Sequence, residues 1–191
     1  MSPVIKRLLT LVVAVLLTLA VGVAPATAAA STGDPAGDQT RLTYWSKATT
    51  TLRNMSDLRG VRLWKDAGTR RLVVRIRTAE VAGHSSSRWH DLRAVGTVGS
   101  TRVTFQARQE ASGHWYRTVY AGSGRELCFD RQRLSVNYAD NYVQMSIPIS
   151  CLPSGRSFTG VRASSYSAIF SSGGLGPVGK DTSALVAVRV R

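Results

Sequence analysis

The sequence predicts an all-β protein: an antiparallel β-sandwich of jelly-roll or immunoglobulin-like type with about eight or nine strands. Short stretches in which apolar and polar residues alternate recur at spacings near ten residues. Glycine-containing turns such as "GSG" and "ASGH" separate these stretches, and no amphipathic helix of three turns interrupts them. Because each strand has one apolar face, two sheets packed together would bury all of those faces. The same pattern is compatible with an open barrel.

The first 28 residues have the pattern of a secretory signal peptide. Lys6 and Arg7 precede the uncharged run 8–23, and the A-x-A pattern Ala26–Ala28 follows. The run of 16 residues is shorter than the roughly 20 needed to span a bilayer, which favours cleavage over anchoring. Cleavage after Ala28, or two residues later, predicts a secreted chain of about 163 residues, a length that suits one domain.

The segment 29–55 is polar and weakly patterned, and we interpret it as an N-terminal arm that precedes a sandwich domain over residues 56–191. One strand is expected within the arm, around residues 42–45. The arm also contains "DPAGD", in which Asp34 and Asp38 flank a Pro-Ala-Gly turn. Calcium takes six to eight oxygen ligands, so a loop that folds back would bring both carboxylates onto a structural ion. The alternative is a solvated linker, because linkers use the same residue types.

The strand RLVVRIRT, residues 71–78, separates an apolar face from a basic one. The apolar face consists of Leu72, Val74 and Ile76. The basic face, whose side chains are expected to project together as a ligand site, consists of Arg71, Arg75 and Arg77.

The whole chain is strongly basic. Loss of Lys6 and Arg7 with the leader lowers the formal net charge from +14 to +12, and 20 of the 23 remaining cations are arginine. Such a charge attracts an anionic polymer: a phosphate-bearing wall polymer, an acidic glycan, a membrane surface or extracellular nucleic acid. Codon bias combined with solubility explains the composition equally well.

The clearest hairpin joins RLSVNY to YVQMSIP, residues 133–138 and 142–148. The alternating apolar positions of its first strand, Leu134, Val136 and Tyr138, are answered by Val143, Met145 and Ile147. Two later strands are expected, over residues 161–169 and 184–190.

Aromatic residues occur together in WYRTVYA, residues 115–121. Alternation places Tyr116 and Tyr120 on one face and assigns Trp115 to the core with Val119 on the other. Exposed tyrosines can stack on sugar rings, so Tyr116 and Tyr120 are candidate ligand-binding residues. The alternative is burial, which is the usual fate of aromatic side chains.

Cys128 and Cys151 are the only cysteines, and in an oxidising compartment they predict one disulfide. The bond would close a 24-residue loop, for which the chain-entropy relation gives about 3.4 kcal/mol. A redox or zinc site is the weaker interpretation, because neither C-x-x-C spacing nor clustered histidines accompany the pair.

Two stretches imitate catalytic motifs. "GLGPVGKD", residues 174–181, nearly matches the phosphate-binding loop, but Asp181 stands where a magnesium-ligating hydroxyl is required and a strand-like segment follows. "RWHD" places His90 beside Asp91, near the serines at 85–87, without the nucleophile elbow of a hydrolase. We interpret the first as a chance match to the motif and the second as an inter-strand loop, so the sequence contains no recognisable catalytic constellation.

"DPAGD", "SDLRGVRL", "RLVVRIRTAEV" and the later "SIPISCL" together resemble a group of small secreted bacterial β-sandwich proteins of uncharacterised function. More distantly, the first half is similar to domains of the family 9 carbohydrate-binding-module type, whose opening D-x-x-G-D accompanies a structural calcium. The resemblance runs over most of residues 34–152. It implies that Asp34 and Asp38 are calcium ligands, with Asp57 as a further one. The sequence departs from that family at the sugar site, where no matching pair of tryptophans is found.

These observations predict a secreted, non-catalytic protein that binds an extracellular or cell-wall polymer, either a glycan or an anionic wall polymer. The binding surface would be the arginine-bearing strand face or the tyrosine pair. No specific nucleic-acid partner is indicated, and no membrane anchor remains after cleavage. An extracellular hydrolase and a small protein-binding or inhibitory domain are the alternatives. A cofactor other than calcium is not expected.

Overall fold

A computed structural model describes residues 29–83, 88–154, 158–171 and 174–183. The predicted leader, the serines at 85–87 and the predicted strand at 184–190 lie outside the described residues. Within them, two antiparallel sheets form a β-sandwich, which confirms the predicted fold class. None of the helices in the described ranges is long and apolar enough to cross a membrane.

The first sheet has five strands. They are β1 (Ala29–Gly33), β3 (Leu58–Asp66), β4 (Arg71–Thr78), β9 (Arg133–Asn137) and β10 (Tyr142–Pro148). Their spatial order is β1-β3-β4-β10-β9. The predicted hairpin is confirmed, since β9 and β10 pair with Val136 opposite Val143 and Leu134 opposite Met145.

The second sheet has seven strands. They are β2 (Thr40–Arg41), β5 (Arg88–Val98), β6 (Thr101–Gln109), β7 (Trp115–Ala121), β8 (Arg125–Glu126), β11 (Phe158–Ser171) and β12 (Gly174–Thr182). Their spatial order is β2-β12-β11-β5-β6-β7-β8. The predicted "ASGH" turn connects β6 to β7, and a two-residue turn at 99–100, which was not predicted, connects β5 to β6.

The main core lies between the two sheets. Leu72, Val74 and Ile76 of β4 are completely buried, as their alternation predicts. Phe105 meets Phe158 edge to face, with the ring centroids 6.2 Å apart. A β-carbon at Gly96 would lie 2.5 Å from the Phe158 ring, so the core is closed around a position that only glycine can occupy.

The segment 29–55, interpreted above as an arm, is built into the sandwich. β1 extends the five-stranded sheet by pairing with β3, and β2 pairs with the end of β12. The strand expected at 42–45 is not found there, because a 3-10 turn begins at Trp45. A short helix, α1 (Thr50–Ser56), follows the turn.

Helix α1 closes one end of the sandwich with a small second core. The Thr49 side chain caps its start by accepting a hydrogen bond from the Leu52 N–H, and Leu52 and Met55 are buried. The Ser165 and Ser167 hydroxyls donate to the Met55 and Leu52 carbonyls, at 2.7 and 2.8 Å. Carbonyls that a helix end leaves unpaired are thus satisfied by a strand.

Candidate functional site

Arginine and aromatic side chains cover the outer face of the five-stranded sheet. We call this surface, with the pocket and the groove at its two ends, the basic face. Its members on the central strands are Arg62, Trp64, Arg75, Arg77 and Tyr142. The pocket and the groove lie at opposite ends of β4, whose six residue steps from Arg71 to Arg77 span about 20 Å.

A stack of alternating cations and rings crosses three strands of the basic face. The Arg62 and Arg75 guanidiniums lie 5.3 and 5.4 Å from the centre of a ring of Trp64. Arg75 also lies 4.1 Å from the centre of the Tyr142 ring, and its Nε and terminal nitrogen donate to Gln144 Oε1 at 3.1 and 2.8 Å. The stack fixes the orientation of these charges without neutralising them.

One end of the basic face forms the strand pocket, a depression of about 250 Å³ between β1, β3 and β4. Its walls contain four arginines and no acidic residue: Arg59, Arg62, Arg75 and Arg77. Arg59 is paired with the buried carboxylate of Asp57 at 2.7 Å. Arg62 and Arg77 are exposed, so their charges face solvent.

The other end forms the turn groove, with a volume of about 790 Å³. It lies where the β3–β4 turn meets the 3-10 turns Phe129–Arg131 and Ile149–Cys151. Five cationic residues and one acid line it: Lys65, Arg70, Arg71, Arg131, Arg133 and Asp130. The groove was not predicted, although the local arginine concentrations "TRR" and "RQR" beside the two hairpins are visible in the sequence.

Arg71 lies on the same face of β4 as Arg75 and Arg77 but is covered, so the prediction that the three side chains project together is wrong at this position. Its side chain is buried, and its Nε donates to Ser146 Oγ at 2.9 Å. A terminal nitrogen donates to the carbonyls of Arg131 and Ser146, at 2.6 and 2.9 Å. Arg71 is therefore a structural residue of the groove floor.

Ion pairs leave most of the basic face uncompensated. Across the part of the chain that the structure describes, three salt bridges form: Arg59–Asp57, Arg93–Asp91 and Arg108–Glu110. Two of these lie on the seven-stranded sheet. None includes Arg62, Arg77 or the exposed groove arginines, which are therefore the charges available to a ligand.

Tyr116 and Tyr120 lie on the seven-stranded sheet, so the two predicted binding surfaces are on opposite sides of the molecule. Tyr116 is exposed and its ring meets His114 at 4.8 Å, whereas Tyr120 is half-buried. Thr118 separates them on the strand. Trp115 packs against the main core.

Asp34 and Asp38 converge, and a third carboxylate joins them. One oxygen from each of Asp34, Asp38 and Asp181 lies within 4.8 Å of the other two. The contact arises because β2 pairs with β12, bringing the end of "DPAGD" beside residue 181. Sequence reasoning missed Asp181, since 143 positions separate it from Asp38 and only strand pairing joins them.

Asp57 lies outside this three-carboxylate cluster. It is buried, pairs with Arg59, and accepts the Gly37 N–H at 3.2 and 3.3 Å, so it holds the "DPAGD" loop in place. Burial raises the pKa of Asp181, the N–H groups of Leu58 and Thr182 lower it, and the nearby Asp38 and Asp57 charges raise it again. The region thus has concentrated negative charge.

The motif-like stretches have structural roles. "GLGPVGKD" lies within β12. The interpretation of "RWHD" as an inter-strand loop is wrong, because residues 88–98 form strand β5. His90 faces inward and is completely buried, whereas Asp91 accepts hydrogen bonds from Arg93 and Gln106 on the other side of the strand. The two side chains therefore do not form a dyad. The predicted disulfide is confirmed: Cys128 and Cys151 are bonded, with Cα atoms 5.9 Å apart.

Fold and surface together define an antiparallel β-sandwich with an arginine-rich outer face on one sheet and a carboxylate cluster at one end. No protein-family model matches the chain, and no curated protein sequence matches it significantly.

Proposed function

We propose that the protein is a secreted, non-catalytic binding protein that holds an anionic extracellular or cell-wall polymer along the basic face. The observation that carries the proposal is the row of arginines from the strand pocket to the turn groove, of which Arg59 alone forms a salt bridge among the residues that the structure describes. A polymer supplies anionic groups at regular intervals, and about 20 Å of charged surface can contact several of them at once.

The secreted location rests on the leader-like first 28 residues and on the disulfide, a bond typical of oxidising compartments. A neutral glycan stacked on Tyr116 and Tyr120 is the competing mode. It is disfavoured because Thr118 separates the rings and Tyr120 is half-buried. The two modes differ in their response to salt, since only the charged one releases counterions.

The test measures affinity for a polyphosphate, a polyuronate and a neutral glucan at several ionic strengths. Replacing Arg62→Gln and Arg77→Gln removes two exposed charges from the basic face. We expect weaker polyanion binding and a slope of log affinity against log salt that is shallower by about 2, one for each lost contact. Tyr116→Ala with Tyr120→Ala should leave polyanion binding unchanged.

The control is Arg102→Gln with Arg125→Gln, which removes two exposed charges from the seven-stranded sheet. It should retain wild-type affinity. If the control loses as much affinity as the basic-face variant, the attraction is a property of net charge alone. Salt-independent binding to the neutral glucan, abolished by the tyrosine substitutions, would favour the competing mode.

We further propose that Asp34, Asp38 and Asp181 hold a structural calcium ion. Three carboxylates, each with one oxygen within 4.8 Å of the other two, supply three of the six to eight oxygen ligands that calcium takes, and backbone carbonyls and water can supply the rest. The ion would join the loop after β1 to the last described strand, and so tie the two sheets together.

A further inference from the structure

We propose that the turn groove is a specific site for a phosphoryl group, either free or part of a polymer. This inference deepens the proposed function, on which it rests for the polymer but not for the free anion. The groove's volume of about 790 Å³ is within the range of small-ligand pockets.

The charges that line the groove favour a multiply charged oxyanion. Four arginines and one lysine face a single carboxylate, that of Asp130. A bound ligand with a single carboxylate would leave most of the positive charge of the groove uncompensated. A phosphoryl group carries more charge and offers several oxygens to planar guanidinium forks, which bind such oxygens in pairs.

The floor of the groove and the backbone of its two 3-10 turns are held in place before a ligand arrives. Arg71 is bonded to Ser146 and to the Arg131 carbonyl. The Arg117 Nε donates to the Gln132 carbonyl at 2.9 Å, and the disulfide connects the two 3-10 turns. Binding at a preformed site costs less ordering entropy.

The groove arginines also repel one another. Burial lowers the pKa of Arg71, the nearby charges of Arg133 and Arg131 lower it further, and the charge of Asp66 offsets part of this effect. Asp66 lies on the adjoining turn, where its carboxylate also accepts hydrogen bonds from Thr69 and Gly68. An anion would relieve this repulsion.

Arg70 adopts a backbone conformation that is unfavourable for any residue with a side chain. Its φ is +52°, in the left-handed region that glycine adopts without steric cost. The Ile149 N–H donates to its carbonyl at 3.0 Å, which keeps the turn in this conformation. Strain of this kind is concentrated at functional positions, and here it places a guanidinium on the groove wall.

Arg70→Gly therefore separates binding from stability. Without phosphate, the variant should melt at the same temperature as the wild type or higher, because glycine relieves the strain. Inorganic phosphate should raise the wild-type melting temperature above that in chloride at matched ionic strength, and this increase should fall by at least half in Arg70→Gly. Arg131→Gln with Arg133→Gln should abolish it.

The matched control, Arg102→Gln with Arg125→Gln, should keep the full increase. A short polyphosphate compared with free phosphate distinguishes a polymer-borne group from a free one, since only the former should gain affinity from the strand pocket. The proposal is overturned if phosphate acts no differently from chloride, or if the control and the groove variants lose the increase equally.

The proposal for the turn groove and the proposed polymer-binding function are refuted by different results. Polyanion binding that depends on Arg62 and Arg77, with no specific response to phosphate, would remove the groove and leave the polymer function. A specific response to phosphate without polyanion binding would remove the polymer function and leave the phosphoryl site in the turn groove.

Discussion

At the scale of single residues, the chain uses one residue type for opposite purposes on the same strand. Arg71 and Arg77 are six positions apart on β4 and on the same face. Arg71 is buried and its nitrogens bind Ser146 and a backbone carbonyl, whereas Arg77 is exposed on the wall of the strand pocket. Alternation predicts the face of a side chain, but neighbouring turns decide whether that face is covered.

His90 is the residue whose protonation the fold opposes most clearly. It is completely buried, and its Nε2 lies 3.0 Å from Ser165 Oγ. The Ser165 proton is committed to the Met55 carbonyl, so His90 Nε2 is the donor of that contact. Its Nδ1 has no hydrogen-bond partner within the described ranges, so a proton added there would form a buried N–H without an acceptor.

We expect stability to fall as the pH is lowered from 6.5 towards 4. Burial lowers the pKa of His90 to about 4, whereas the unfolded chain protonates near 6.5, so the unfolded state takes up the proton first. The free energy of unfolding should therefore lose about 3 kcal/mol across this interval. Urea unfolding of wild type and His90→Gln over this pH range measures the effect as their difference.

His114→Gln is the matched control, because His114 is exposed. The difference for His90→Gln should change with pH more steeply than the difference for this surface variant. A pH-independent difference for His90→Gln would refute the assignment.

At the scale of elements, close approach of the helix to the sheet is the feature that sequence patterns do not reveal. Helix α1 spans seven residues, too few for the three-turn periodicity that identifies a helix in a sequence. Its position depends on contacts from distant strands, namely the two serine hydroxyls of β11 and the glycine of β12 at position 179.

Gly179→Ala should destabilise the protein by about 1 to 3 kcal/mol, the usual cost of overpacking. A β-carbon there would overlap Ser56 Oγ and lie 3.0 Å from Ser56 Cβ. Because Ser56 is buried and its hydroxyl donates to the Arg53 carbonyl, the helix itself must move. Chemical denaturation measures the loss.

Gly33→Ala is the control, since a β-carbon at that position meets nothing within 4 Å. It should change stability little. Equal effects of the two substitutions on stability would show that α1 can shift away from a β-carbon at position 179 without loss of stability.

At the scale of the whole molecule, the carboxylate cluster joins chain segments that are far apart in sequence. If Asp34, Asp38 and Asp181 hold calcium, the ion stabilises the fold by about 2.7 kcal/mol when its free concentration is a hundredfold above Kd. For a domain of this size, the melting temperature should be roughly 5 to 10 °C higher in calcium than in chelator.

Asp34→Asn with Asp38→Asn should melt at the temperature of the chelated wild type, because amides keep an oxygen but lose the charge that the ion needs. Asp140→Asn, at the distant β9–β10 turn, should respond to calcium as the wild type does. Identical melting of the wild type in calcium and in chelator would make the stretch a linker.

The sequence by itself determined the fold class, the main hairpin, the alternation on β4 and the disulfide. These follow from local periodicity, or from a cysteine pair that has only one pairing available. Tertiary structure alone decided that Arg71 is buried, that Asp181 joins Asp34 and Asp38, and that residues 29–55 belong to the sandwich. Each of these outcomes depends on which segments distant in sequence become neighbours, and pairing between such segments leaves no periodic trace in the chain.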